Sequence, residues 1–292
     1  MYIGVDIGGT KINSVLMAGD KIIRQIKTSI KSKSNKKIVI AQLFDCIDWF
    51  LMRVDKQKIK GVGIGAPGPI DFKKQKVLNP PNVTGLKNLF LAKIIREKFK
   101  IKTKIENDAN CFGLAETILG AGRGKQIVAG LTLGTGVGGF LIVNKKVFRG
   151  KSSRATEFGH IAIIKNGRKC SCGRIGCLEA YISARGIMKT AQEIGLKNVR
   201  NPEKITKLAE QGNKKAISVY KITGNYLGKG LTNIVKKFKP EIMVIGGGIS
   251  GAGKFIFEPA RKIVKNTKIV KTKLGKNAGA IGAALLFTDY KH

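Results

Sequence analysis

Residues 157–179 read EFGHIAIIKNGRKCSCGRIGCLE, and this stretch holds four of the seven cysteine and histidine side chains. His160 is the only histidine besides the terminal His292, and Cys170, Cys172 and Cys177 are three of the five cysteines. Three thiolates and a neutral imidazole are a donor set that Zn2+ closes into a tetrahedral, structural site. Cys-Ser-Cys sets alternate side chains to one side, and Gly173 and Gly176 let the backbone fold back toward them. Two other accounts compete: core cysteines beside a satisfied histidine, and a disulfide, which an intracellular setting disfavours. The spacing is not a standard finger spacing. Zinc is the expectation, and its role would be to anchor a loop and so aim Glu157 and Glu179. That describes a metal-stapled binding site rather than metal catalysis.

Other candidate groups stand where strands should end. Asp6 closes the apolar run YIGVD ahead of Gly8, Gly9, Thr10 and Lys11. Paired glycines let backbone N–H groups approach an anion closely, and Asp6 could hold Mg2+ or its waters; a plain hairpin turn would look the same. Asn107 and Asp108 follow the strand IKTKIE at the head of a helix-like segment. Asp108 suits a helix N-cap and equally a general base at a strand's carboxyl end; local pattern does not separate the two. Gly134, Thr135 and Gly136 in LTLGTGVGG begin a G-x-G-x-x-G match, but a strand follows where a dinucleotide fingerprint needs a helix. Gly246, Gly247 and Gly248 in VIGGGISGAG lie in the proper strand–turn–helix context, yet residues 267–276 lack the acid an NAD site requires. No Walker-type phosphate loop is present.

The elements that must position these groups are legible as periodicity. Residues 2–29 predict three strands, the first two joined at the Gly8-Gly9 turn. Ile40, Leu43, Ile47, Phe50 and Val54 follow a 3.6-residue period. The strand KGVGIGA, a helix over residues 86–99 and the strand IKTKIE follow, an alternation that points to an α/β domain with a parallel or mixed sheet. The Gly/Thr turn of residues 134–136 echoes the first hairpin and suggests an internal duplication. Helices are expected over residues 178–194 and, with a stripe from Val219 to Phe238, in a longer element. LGKNAGAIGAALLF near the C-terminus is a small-residue helix suited to close packing.

Composition bounds the rest. The 292 residues suffice for two domains, and 43% are hydrophobic. The N-terminus shows no signal-peptide pattern and no run is long enough for a membrane span, so a soluble, cytoplasmic protein is expected, with no membrane partner. The net charge is +37. Lysines, 44 against 11 arginines, are spread along the chain with few aromatics between them. That favours solvated faces with nonspecific polyanion binding as a by-product, and no specific nucleic acid is expected.

Together these residues resemble the ROK family (repressors, open reading frames and kinases) of the actin-like, hexokinase-like ATPases. The match runs over nearly the whole chain. DIGGTK resembles the superfamily's first phosphate loop, LTLGTGVGG its second and VIGGGISGAG its adenosine loop; ENDAN, E-x-G-H and CSCGRIGCLE resemble ROK sugar kinases more narrowly. The resemblance implies a two-domain α/β, ribonuclease H-like fold with an interdomain cleft, a small domain of 1–110 plus 277–292, and a large one of 111–276 carrying the zinc loop. It implies phosphoryl transfer from ATP to the 6-hydroxyl of a hexose, glucose first, with N-acetylglucosamine or N-acetylmannosamine as alternatives. Asp108 would be the base. Asn82, Asn107, Glu157, His160 and Glu179 would bind sugar hydroxyls. Asp6, Gly8, Gly9, Thr10 and Lys11 would serve MgATP, with Gly134, Thr135, Gly136, Gly246, Gly247 and Gly248. Zinc would take Cys170, Cys172, Cys177 and one ring nitrogen of His160, and its loss would weaken sugar binding while leaving ATP binding largely intact. A homodimer is implied. Thr156 and Ser153 depart from the family's usual glycines, which bears on the substrate and on a second possibility, a non-catalytic sugar sensor. Regulators of the family add an N-terminal helix-turn-helix; here the first strand is expected at Tyr2.

Overall fold

The computed structural model describes residues 1–30, 35–80, 83–150 and 156–288; Asn82 and Ser153 lie outside them. In chain order the described elements are β1 (Tyr2–Ile7), β2 (Lys11–Ala18), β3 (Lys21–Ser29), α1 (Lys36–Leu51), β4 (Gly61–Ala66), β5 (Ile70–Asp71), β6 (Lys76–Val77), α2 (Leu91–Phe99), β7 (Thr103–Asn107) and α3 (Asp108–Ile118). There follow β8 (Ile127–Leu133), β9 (Val137–Val143), β10 (Lys146–Val147), α4 (Glu179–Ile182), α5 (Ala184–Glu193), α6 (Pro202–Glu210), α7 (Lys214–Phe238), β11 (Ile242–Gly246), α8 (Lys254–Ile263), β12 (Lys268–Lys271) and α9 (Ala278–Ala284).

The chain divides into two compact units, residues 1–120 with 276–292 and residues 121–275. Each is built on a five-stranded mixed sheet with its own core. The first has the order β3-β2-β1-β4-β7, with β1 antiparallel to β2 and parallel to β4. The second has the order β10-β9-β8-β11-β12, with β8 antiparallel to β9 and parallel to β11. Strand for strand the pairings correspond, which is the duplication suggested by the two glycine hairpins.

The first boundary falls at residue 120 rather than 110, because α3 belongs wholly to the first unit. It packs against α9, where a Cβ on Gly282 would run into the Cys111 carbonyl. The small residues of α9 serve the same purpose against the sheet: Cβ atoms on Gly4 or Gly63 would strike the carbonyls of Ala280 and Ala283.

The single helix expected over residues 178–194 is two helices. Ser183 is extended (φ −74°, ψ 168°), and its hydroxyl accepts the Gly186 N–H at 3.3 Å, an N-cap that ends α4 and starts α5. The break turns the Ala184 N–H onto the Gly134 carbonyl at 2.9 Å, tying it to the second glycine turn. The helix expected over 86–99 likewise starts later, at Leu91. The stripe on α7 is core as expected, with Val219, Tyr220, Thr223, Leu227, Leu231 and Ile234 all fully buried. Among the described residues no helix is long and apolar enough to cross a membrane.

Candidate functional site

In the first unit the chemistry gathers at the carboxyl ends of β1, β4 and β7, where open α/β sheets place their ligands. β1 delivers Asp6, and the turn after it is closed by the Gly8 N–H bonding to the Lys11 carbonyl at 2.9 Å, with Thr10 and Lys11 exposed. Asp6 is hemmed in by glycines. A Cβ on Gly279 would strike its carboxylate, and one on Gly65 would lie 3.6 Å from its Oδ1. Burial, and then the neighbouring charge of Asp108, push the Asp6 carboxyl up to about 7.

Asp108 is not the N-cap. That position is Asn107 (φ −62°, ψ 140°), whose Oδ1 accepts the N–H groups of Ala109 at 3.0 Å and Asn110 at 3.3 Å. Asp108 is the first helical residue, where the helix N-terminus favours a carboxylate, and it also takes the Ala109 N–H at 2.8 Å. With its oxygen committed to the cap, Asn107 turns its Nδ2 toward Gly68, where an added Cβ would lie 3.1 Å from it. The junction is held from beneath by Glu106, fully buried, whose Oε1 accepts from the Asn107 N–H at 2.8 Å and from Asn110 Nδ2 at 2.9 Å. Sequence reasoning missed Glu106, Asn110 and Gly279. The first two are inside ENDAN and were readable as a motif; Gly279 could be found only through tertiary contact.

In the second unit β8 and β11 end side by side, with Thr132 paired to Gly246. This sets the Gly134–Thr135–Gly136 turn next to residues 246–248. Gly247 adopts φ 84°, and a Cβ there would strike the Leu133 backbone. The Gly134-Gly136-Gly139 pattern resolves into three separate roles. Gly134 faces open space, Gly136 lies under Glu179, and Gly139 lets the Thr156 carbonyl and the Phe158 ring cross the strand. Thr156 is buried and its carbonyl accepts the Phe158 N–H at 2.6 Å. Glu157 is exposed just before the short turn Phe158–His160.

The cysteine loop doubles back on itself. Gly173 (φ 87°) and Gly176 (φ 78°) provide the left-handed turns, and Gly173 N–H closes on the Cys170 carbonyl at 3.0 Å. The result brings one ligand atom each from His160, Cys170, Cys172 and Cys177 within 4.8 Å of one another. Cys172 Sγ lies 3.8 Å from Cys177 Sγ, and His160 Nδ1 lies 3.7 Å from Cys170 Sγ. A tetrahedral ion with metal–sulfur bonds of about 2.3 Å has sulfur–sulfur edges of about 3.8 Å, so spacing and donor set fit one metal ion. The Nδ1 of His160 faces the cluster, leaving Nε2 for another partner. Burial opposes ionisation of Cys172, but the backbone and side chain of Arg174 outweigh it and hold the thiol down to about 6. Burial, and then the charges of Cys170 and Cys172, push Cys177 up to about 12. Arg168, which sequence reasoning passed over, anchors the loop. Its guanidinium donates to the Ala180 and Gly186 carbonyls at 3.3 and 3.0 Å, pairs with Glu193 and lies over the Tyr181 ring.

Glu179 opens α4 and is bound at both oxygens, Oε2 by the Val137 N–H and Oε1 by the Ser171 hydroxyl. Asn82 and Ser153 have no described position.

The family model described as "ROK family" matches residues 2–290. A glucokinase of Thermotoga maritima is 33% identical over 98% of this chain and 97% of its own length. A xylose repressor of Bacillus subtilis is 30% identical over 99% of this chain and 77% of its own length. The crystal structure of a ROK family glucokinase from Streptomyces griseus, in complex with glucose and AMPPNP, superimposes with a TM-score of 0.83 at 30% identity over 98% of each chain. The two-sheet α/β architecture is that of the two-domain actin-like ATPases. On the full-length match of its family model and on these relatives, the chain belongs to the ROK family.

Proposed function

We propose that the protein is a sugar kinase that transfers the γ-phosphoryl group of ATP to the 6-hydroxyl of a hexose, glucose in the first instance. The observation that carries this reading is Asp108, the first residue of α3 after the Asn107 cap, whose charge acts on Asp6 at the carboxyl end of β1. A carboxylate there can take the hydroxyl proton as the sugar oxygen bonds to phosphorus and the bond from phosphorus to the β,γ-bridging oxygen breaks, with ADP leaving. Phosphoryl transfer otherwise depends on positioning and charge stabilisation. The turns at Gly8–Lys11 and Gly134–Gly136 would serve the phosphate oxygens through backbone N–H groups, and Gly246–Gly248 would take the nucleoside. Asp6 would hold Mg2+, which neutralises phosphate charge when bound.

Asn107 through Nδ2, Glu157, His160 through Nε2, Glu179 and Asn82 are the proposed hydroxyl partners. His160 Nδ1, Cys170, Cys172 and Cys177 would hold zinc, which contributes structure alone. A cytoplasmic, homodimeric enzyme accords with this reading, and polyanion binding by the +37 surface would be nonspecific. An N-acetylhexosamine is the alternative substrate, since an N-acetyl-D-glucosamine kinase of Photobacterium profundum is 33% identical over 98% of this chain. A second reading, a sugar sensor without turnover, is favoured by the similarity to the xylose repressor.

The test is ADP release with MgATP against glucose, N-acetylglucosamine, N-acetylmannosamine, mannose and fructose, with Asp108→Asn alongside. Turnover on one sugar, reduced by about 10²–10⁴-fold in the variant, is expected. Sugar binding without turnover on any would establish the sensor instead.

A further inference from the structure

The Glu179 carboxylate bonds at once to the Gly134–Gly136 turn and to the cysteine loop. Its Oε2 accepts the N–H of Val137 at 2.9 Å, the residue that starts β9 after the Gly134–Gly136 turn. Its Oε1 accepts the Ser171 hydroxyl at 2.5 Å and lies 3.7 Å from Cys170 Sγ. The fit is close on the turn side as well, since a Cβ on Gly136 would come within 2.9 Å of Oε2. Ser171 stands between two of the clustered cysteines, in the turn closed by the Gly173 N–H on the Cys170 carbonyl. A metal that fixes those cysteines therefore fixes the serine hydroxyl between them. That hydroxyl pins one carboxylate oxygen, and the torsion of a carboxylate is otherwise broad. The other oxygen then meets the N–H at the edge of the glycine turn.

We propose that Ser171 is a positioning residue through which the cysteine–histidine loop holds both Glu179 and the Gly134–Gly136 turn, so that loop order bears on nucleotide affinity as well as sugar affinity. The two ligand classes rest on the kinase reading; the mechanical link does not. It replaces the expectation that ATP binding is indifferent to the metal. A hydroxyl donating to a carboxylate at this distance is of the stronger, charge-assisted class, and Ser171 is itself no metal ligand, so its removal separates the link from the metal.

The experiment compares zinc-loaded wild type, Ser171→Ala and Ser171→Thr, with metal content measured for each. Hydrogen exchange of the peptide over residues 133–140 reads the Val137 amide directly in the ligand-free protein. Calorimetry with AMPPNP, in the absence of sugar, reads the nucleotide site, and glucose KM and kcat read the sugar. Ser171→Ala should speed exchange at Val137 and weaken both AMPPNP and glucose by roughly five- to tenfold, with zinc content unchanged. Ser171→Thr, which keeps the hydroxyl, should restore all three. Unchanged exchange and AMPPNP affinity in Ser171→Ala would overturn the proposal, as would a threonine variant no better than alanine. If wild type turns over no hexose, the kinase reading fails, while exchange and AMPPNP binding still decide the role of Ser171.

Discussion

Asp6→Asn should make the protein more stable while abolishing its proposed reaction. The Asp6 carboxyl is pushed up to about 7 from an ordinary carboxylate value near 3.8, by burial and then by Asp108. In the folded state it holds its proton to higher pH than in the unfolded chain, so the folded state binds more protons between those two values. Stability from this group is therefore greatest below pH 4, declines as pH rises, and levels off above about 7. Between pH 5 and pH 8 the two ionisation curves diverge by about two pKa units, or about 2–3 kcal/mol. Asparagine cannot ionise, so the variant escapes that decline, and any fixed packing difference between Asp and Asn cancels in the comparison across pH. For a unit of about 140 residues this corresponds to a gap in Tm that widens by roughly 8 °C from pH 5 to pH 8. The assay is thermal unfolding by circular dichroism at four pH values and constant ionic strength, without added Mg2+. If Asp6 holds Mg2+, adding MgATP near pH 8 should raise the Tm of wild type and not of Asp6→Asn, and MgATP-dependent turnover should be lost in the variant. Wild-type and variant Tm values that run parallel from pH 5 to pH 8 would refute the argument that the buried carboxyl is held protonated.

Gly136→Ala places a methyl group 2.9 Å from Glu179 Oε2, so it should push the carboxylate off the Val137 N–H and cut catalytic efficiency by about tenfold or more, with a Tm loss of only a few degrees. Steady-state kinetics and a thermal melt on the same preparation check both halves. Zinc uptake by the stripped protein at pH 7.5 should release about two protons, those of Cys170 and Cys177, because burial and neighbouring charge hold both thiols above their ordinary range while Cys172 is already ionised. Calorimetry in buffers of different ionisation enthalpy counts them, and affinity should rise about a hundredfold per pH unit there. Stripping zinc with a chelator should lower the Tm by roughly 10 °C, from the linkage of a ligand held at about 1,000 times its Kd.

Which parts of this molecule were legible beforehand follows from how far apart the determining contacts lie in the chain. The cysteine loop reads directly, because its four ligands and the two left-handed glycines that fold it are packed into eighteen residues. The duplication read from two short glycine hairpins, because a hairpin is local, whereas the order of the parallel strands beside each hairpin did not. Capping at residue 107 did not read, since Asn and Asp are equally good N-caps and the choice came from a buried Glu106 that fixes the Asn107 N–H. The break at Ser183 did not read, because helical periodicity continues across it and the extended conformation is rewarded not by the Ser183 cap alone but also by the distant carbonyl of Gly134. Gly279 was invisible for the same reason carried further. Nothing within its own helix demands a glycine, and the carboxylate it makes room for belongs to the sixth residue of the chain. The same contact has two consequences at once. A helix close enough to require glycine keeps much of the water from the half-buried Asp6, and that loss of water is the larger part of what raises the carboxyl toward 7. Packing of α9 and the charge state of the proposed Mg2+ ligand are thus one property, and a Gly279→Ala variant should disturb both together.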